Sequence, residues 1–392
     1  MRYEMGSMKE IIKTLVEIPS ISGDKEQIGR ALEYIDRFLS ERGMYVKRLE
    51  SNGVESLFAT TRNTKQPKVL LAAHVDVVAG DSEMFKLSEE NGRYHGRGIA
   101  DMKYSIAAFL QVVDDLKDTL HLHDFGIAIT SDEEVGGNNG SGYLVRQGYG
   151  AGVVILPDAG DSPDAWRIER SAKGKIALEL KTKGWSAHGS RPWAGESAIE
   201  KLTALLDDVK TLFADQGPDT NTLTIATIWG GEADNMVASN ALARLDIRTV
   251  TNKDMDVIKS RIEKLAEKYD AEVSVPYPSL NTYITDMDNP FVKKFIKTTK
   301  EVVTNYKLLE ARSYGATDAR FFADYDMPVI VFSPALDGCH APVEWVSKDG
   351  LAQTRDVLLL YIQRYANILT SDEEEAKDTA KLKDKAKVLS TK

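Results

Sequence analysis

The chain of 392 residues contains a single cysteine, so no intramolecular disulfide can staple it. It has no apolar run near the roughly 18 residues that suggest a membrane span, and its first residues, Met1 to Met5, have no apolar core of the kind that marks a secretory signal. We therefore expect a cytoplasmic protein. Positive charge is also in short supply: 50 Lys and Arg face 60 Asp and Glu, a formal net charge of −10. That balance, with no basic stripe or aromatic platform, argues against nucleic acid or an anionic membrane as partner. Internal repeats and low-complexity linkers are missing as well. What remains is an ordinary soluble composition, 42% hydrophobic, and a length sufficient for two domains or one domain with a large insertion.

The early part of the chain alternates helix and strand signals. Ile28, Leu32, Ile35 and Leu39 recur at helical spacing between Asp24 and Gly43, and Gly43 suits a helix stop. The runs 69–73, 125–130 and 153–156 read as buried strands, and Ile106, Phe109, Leu110, Val113 and Leu116 as a helical stripe. This pattern predicts an α/β domain, a largely parallel sheet flanked by helices. Near Lys173 the texture changes. Strand-like alternation at 175–183, 223–229 and 241–250, with helical stretches near 196–213 and 253–269, predicts an inserted α+β domain with an antiparallel sheet. The first texture returns after about Asn281, with 327–332 as a further buried strand. The expected division is 1–172 and 285–370 for the α/β domain, 173–284 for the insertion, and 371–392 for a charged tail that is a solvated helix or loose segment.

Five acid-rich or histidine-bearing segments end apolar runs: His74-Val75-Asp76, Gly98-Ile99-Ala100-Asp101, Ser131-Asp132-Glu133-Glu134, Pro157-Asp158 and Cys339-His340. In parallel sheets, ligands gather at the carboxyl ends of strands, which is where these segments fall. Two imidazoles and several carboxylates are the ligand set of a site for two divalent metals. Each segment alone has a plainer explanation. His74 and Asp76 fit a buried structural histidine with a loop aspartate, and Asp101 fits a helix N-cap. Glu133 and Glu134 could be a solvated acidic pair, and His340 a structural histidine. The metal reading rests on the segments together. In it, one nitrogen of His74 binds metal while the other donates to the Asp76 carboxylate. Oxygen and nitrogen ligands without thiolate suit zinc, with cobalt or manganese possible. Cys339 reads as a small packing residue.

The order His-x-Asp, Gly-x-Gly-x-x-Asp-Met-Lys, Ser-Asp-Glu-Glu-x-Gly-Gly, Asp and a late His resembles the dinuclear zinc exopeptidase and amidohydrolase family. Its members include glutamate carboxypeptidase, aminoacylase, carnosinase-type dipeptidases, acetylornithine deacetylase and succinyl-diaminopimelate desuccinylase. The resemblance spans nearly the whole chain. It implies that His74 and Asp158 hold one metal, Glu134 and His340 the other, and Asp101 bridges them. It makes Asp76 the orienter of His74, Glu133 the general base, and Asp101-Met102 a cis peptide. Trp185-Ser186-Ala187-His188-Gly189-Ser190 resembles the family's lid motif, in which the histidine reaches a partner subunit's site and stabilises the oxyanion. It therefore implies a homodimer formed through the inserted domain. Asn235, Arg248 and Arg320 resemble substrate-holding positions, and an arginine fork suits a substrate carboxylate. Read alone, His188 is a surface histidine on a turn and each arginine a surface ion pair.

The sequence departs from the family at Ala79, Tyr104 and Ala238. Tyr104 stands where Gly is usual, which predicts a narrower site. Aspartate at the Asp158 position accompanies peptidases in the family, and glutamate accompanies deacylases. The expected reaction is hydrolysis of an amide bond next to a free carboxylate, by a dipeptidase or carboxypeptidase. An N-acyl-amino-acid amidohydrolase is the alternative, and a non-catalytic metal-binding homologue a remote one.

Overall fold

The computed structural model describes residues 7–313 and 315–368; the expected tail at 371–392 lies outside them. The chain forms two compact units. Among the described residues, one comprises those up to Trp166, Asp288–Leu308 and those from Ser333 onward, the other Arg167–Met287 and Leu309–Phe332. The second unit thus holds, besides the 173–284 stretch, short pieces on either side of it.

In the first unit the strands lie in the order Tyr45–Ser51, Val54–Thr60, Phe125–Thr130, Val69–His74, Val153–Leu156. Val69–His74 runs parallel to both of its neighbours, while the Tyr45–Ser51 and Val54–Thr60 pair forms an antiparallel edge. The three central strands are buried along their full length. That is why they read in sequence as continuous apolar runs rather than as alternation. The edge hairpin Tyr45–Thr60, with its mixed burial, carried no comparable signal.

The helix Lys25–Ser40 begins where Asp24 accepts from the Gln27 N–H, and it buries the expected stripe together with Ala31, Tyr34 and Phe38. Gly43 follows it at φ 86°, in the left-handed region glycine tolerates. The helix Tyr104–Asp115 is buried nearly all round rather than on one stripe, as expected of a helix enclosed by other elements. It packs against both Met8–Glu17 and Lys348–Tyr365.

The second unit contains a four-stranded antiparallel sheet in the order Thr222–Gly230, Asn240–Thr249, Gly174–Lys183, Ala271–Ser274. Burial alternates strictly along Asn240–Thr249, the signature of a sheet wet on one face. The helices Ala198–Lys210 and Asn252–Glu267 cover the other face. There Leu178, Leu180, Leu202, Leu205, Leu245, Ile247 and Ile262 share one apolar core. Among the described residues no helix is long and apolar enough to cross a membrane.

Candidate metal centre

Because Phe125–Thr130 and Val69–His74 are parallel and in register, with His74 opposite Thr130, the segments following them emerge at the same sheet end. There the Asp76 carboxylate, fully buried, accepts from the Glu133 and Glu134 backbone N–H groups at 3.3 Å each and from Ser22 Oγ at 2.8 Å. It thus caps the short turn Glu133–Val135 from another strand end. A negative charge at the N–H end of a turn is favourable, and it holds both glutamates beside His74.

The partner of His74 differs from the expected one. Its Nδ1 lies 2.9 Å from the Asp76 backbone carbonyl and 3.5 Å from the Asp76 carboxylate. A carbonyl can only accept, so Nδ1 carries the proton and Nε2 faces the site. The carboxylate is drawn away by Ser22 and the two N–H groups.

The Asp101 segment is shaped by glycine. Gly98 has φ 74°, and a Cβ there would collide with the Val77 side chain. The backbone leaves helical geometry at Asp101 (φ −126°, ψ 88°) and Met102, and the Asp101-Met102 peptide is cis. Asp101 is therefore no helix cap; the helix that follows has no side-chain cap at its start. Its carboxylate presents one oxygen to each imidazole. Oδ1 is 3.0 Å from His74 Nε2, and Oδ2 is 3.2 Å from His340 Nε2. His340 Nε2 also lies 2.9 Å from Glu134 Oε2. His340 has φ 66° in a turn where the Ala341 N–H donates to the Gly338 carbonyl.

His74, Asp101 and Asp158 form one donor triad, and Asp101, Glu134 and His340 a second. Within each triad the potential ligand atoms lie within 4.8 Å of one another. Electrostatics follow from the crowding of carboxylates. Burial by itself lowers the His74 pKa, but the nearby carboxylates of Asp101 and Asp76 outweigh it and hold the imidazole well above its usual value. Asp101 and Glu134 push His340 up to about 10. Burial would raise the Asp101 carboxyl, yet the two imidazoles hold it well below the usual carboxylate range. Such a site favours positive charge, whether protons or cations. Its nitrogen and oxygen donors in two triads sharing one carboxylate fit a pair of divalent ions.

Three supporting residues escaped the sequence reading. Glu344, buried, accepts from the Arg97 guanidinium and from the backbone of the Asp101 loop. Lys103, fully buried, donates to the Leu15 and Ile18 carbonyls at 2.9 and 2.8 Å, and burial pulls its pKa down to about 7. Ser22 holds Asp76. A charged residue beside an apolar strand start, as in Val343-Glu344-Trp345, was the available signal for Glu344. Tyr104 is fully buried and donates to the Pro157 carbonyl at 2.8 Å, beside Asp158. Cys339 is half-buried, and desolvation pushes its thiol pKa up.

The remaining candidates belong to the second unit. His188 is exposed, with Nδ1 2.9 Å from Ser190 Oγ. A bridge between His188 and Met236 and a 2.6 Å bond from the Gly189 N–H to the Asn235 carbonyl bring His188 and Asn235 together. Arg248 is half-buried, its Nε 2.7 Å from Asp246 Oδ1. Arg320 does not match the surface ion pair considered for it. It is buried, and its Nη1 donates to the Thr317 carbonyl at 2.6 Å.

Comparison with known proteins adds to this geometry. A succinyl-diaminopimelate desuccinylase of Rickettsia bellii is 27% identical over 390 residues, covering 92% of this chain and 97% of that protein. Among solved structures, a tripeptidase from Staphylococcus aureus superposes with a TM-score of 0.78 at 21% identity, covering 92% of this chain and 98% of that one. A dinuclear metal-binding peptidase from Bacillus subtilis superposes with a TM-score of 0.68 at 15% identity, covering 92% and 98%. Residues 70–364 match the model of Peptidase family M20/M25/M40, a stretch that includes every candidate ligand, and the chain belongs to that family.

Proposed function

We propose that this protein is a metal-dependent hydrolase of an amide bond next to a free carboxylate. In this reading His74 and Asp158 hold one divalent cation, Glu134 and His340 a second, and Asp101 both. The observation that carries it is the pair of donor triads meeting at Asp101. Zinc is the favoured ion, with cobalt or manganese as substitutes. Two such cations, when bound, lower the pKa of water and polarise a carbonyl.

The protein's own groups do the rest. Glu133 sits on the turn capped by Asp76, close enough to His74 for its charge to raise that imidazole's pKa. It takes a proton from water as the water oxygen adds to the carbonyl carbon, then delivers that proton to the departing nitrogen as the C–N bond breaks. His188 donates to the developing oxyanion from the partner subunit of a homodimer. Asn235, Arg248 and Arg320 hold the substrate, the arginines through its carboxylate. The reaction takes place in the cytoplasm, where a lone cysteine stays reduced.

The substrate we favour is a small peptide cut by dipeptidase or carboxypeptidase action, because Asp158 is the residue type that the family resemblance ties to peptidases. A second reading, an N-acyl-amino-acid amidohydrolase, is supported by the desuccinylase relative at 27% identity. A panel of dipeptides against N-acetyl and N-succinyl amino acids, assayed with zinc, cobalt or manganese added, separates the two. Cleavage of acyl amino acids alone overturns the peptidase choice, and no cleavage of either class overturns the hydrolase reading.

A further inference from the structure

We infer that Glu344 is a positioning residue for the metal centre, a buried carboxylate that sets the place of Asp101 relative to His340. The inference rests on the metal reading above. The Glu344 side chain is 1% exposed. It accepts from Arg97 Nη1 at 2.9 Å, and from the backbone N–H groups of Gly98 at 2.9 Å, Ala100 at 2.8 Å and Asp101 at 3.2 Å. Its own backbone carbonyl takes the Gly96 N–H at 3.2 Å.

The 96–101 loop has no strand partner for these N–H groups, and buried backbone donors must find an acceptor. One residue therefore serves as the acceptor for most of the loop. Both carboxylate oxygens are used: Oε2 takes Arg97 and Gly98, and Oε1 takes Ala100 and Asp101. The last of these bonds holds the backbone of the residue whose two oxygens face both imidazoles.

The other end of the device is covalent. Glu344 follows His340 by four residues, across a turn so tight that a Cβ at Gly338 would run into the Val343 carbonyl. Glu344 then leads into the strand Trp345–Ser347, which pairs with Arg93–His95. The loop carrying Asp101 and the turn carrying His340 are thus tied at one carboxylate. Outer partners that orient ligands in this way are worth about 10–100-fold in metal affinity or activity.

The test is calorimetric titration of metal-stripped protein with Zn2+, alongside thermal unfolding in chelator. Glu344→Gln keeps the size but loses one acceptor oxygen, and its amide N–H groups face donors. We expect it to fold and to bind Zn2+ about 10–100-fold more weakly than wild type at one or both sites. A folded E344Q with wild-type Zn2+ affinity and only a lowered unfolding temperature overturns the inference, since a merely structural carboxylate behaves that way. If E344Q does not fold, Glu344→Asp decides. It keeps the charge but draws the carboxylate back by one methylene, and unchanged Zn2+ affinity there is equally fatal. Wild-type protein that takes up no Zn2+ sinks the metal centre itself; two tight sites in wild type, both retained in E344Q, sink only the role of Glu344.

Discussion

The two units hold their candidate residues in different ways. In the first, apart from the bond of His74 to the Asp76 carbonyl, the contacts that shape the metal centre are long-range in sequence: Asp76 with the turn at Glu133 and Glu134, His74 with Asp101, Asp101 with His340, and Arg97 with Glu344. In the second, two candidate side chains meet near neighbours in sequence: His188 meets Ser190 and Arg248 meets Asp246. A group held from several distant elements has lost its freedom before any ligand arrives, the arrangement catalysis and metal binding require. A group held by a neighbour two or three residues away can re-aim. Under the proposed function, this difference would set the chemistry in the first unit and substrate handling in the second.

The strongest way to break that assignment is Glu133→Gln. It should leave Zn2+ binding by calorimetry at wild-type strength and lower kcat by about 10²–10⁴-fold; nearly full turnover would remove the base from Glu133. His188→Ala comes next, with kcat down by about 10²–10³-fold, the worth of one oxyanion donor, and Zn2+ affinity untouched. A loss of Zn2+ binding in that variant would show that the second unit does hold the metal. Light scattering on the wild type sharpens the same point, because a monomer in solution ends the trans role of His188.

Asp76→Asn should reduce Zn2+ affinity or activity by about 10–100-fold, since an amide cannot accept from Ser22 and both turn N–H groups as a carboxylate does. An unaltered titration would mean that the turn keeps its shape without that cap. The smallest effect belongs to Tyr104→Phe. Leaving the buried Pro157 carbonyl without its donor should cost about 1–2 kcal/mol in urea unfolding, with the Zn2+ titration little changed. A large drop in Zn2+ affinity instead would promote Tyr104 from core packing to support of Asp158.

The parts of this molecule that could be read before folding share a cause. Central parallel strands are buried on both faces and so spell continuous apolar runs, which made 69–74, 125–130 and 153–156 visible and placed the acidic segments at their ends. The antiparallel sheet of the second unit announced itself through the alternation of 240–249. The edge hairpin 45–60 did not, because a half-exposed edge has neither pattern. Asp101 looked like a helix cap because a helix does follow it; the loop that turns its carboxylate toward two imidazoles is held by Glu344, hundreds of positions away. Arg320 read as a surface charge, since no local pattern shows that a guanidinium will be enclosed.

Residue chemistry and order along the chain were enough to name the family and to nominate a donor set, because donor identity and strand periodicity are local properties. Distances between donors, the carbonyl rather than carboxylate partner of His74, and the clamp at Glu344 arose only on folding. Each depends on backbone groups of remote segments meeting in a buried place, where an unpaired N–H or charge is too costly to leave alone.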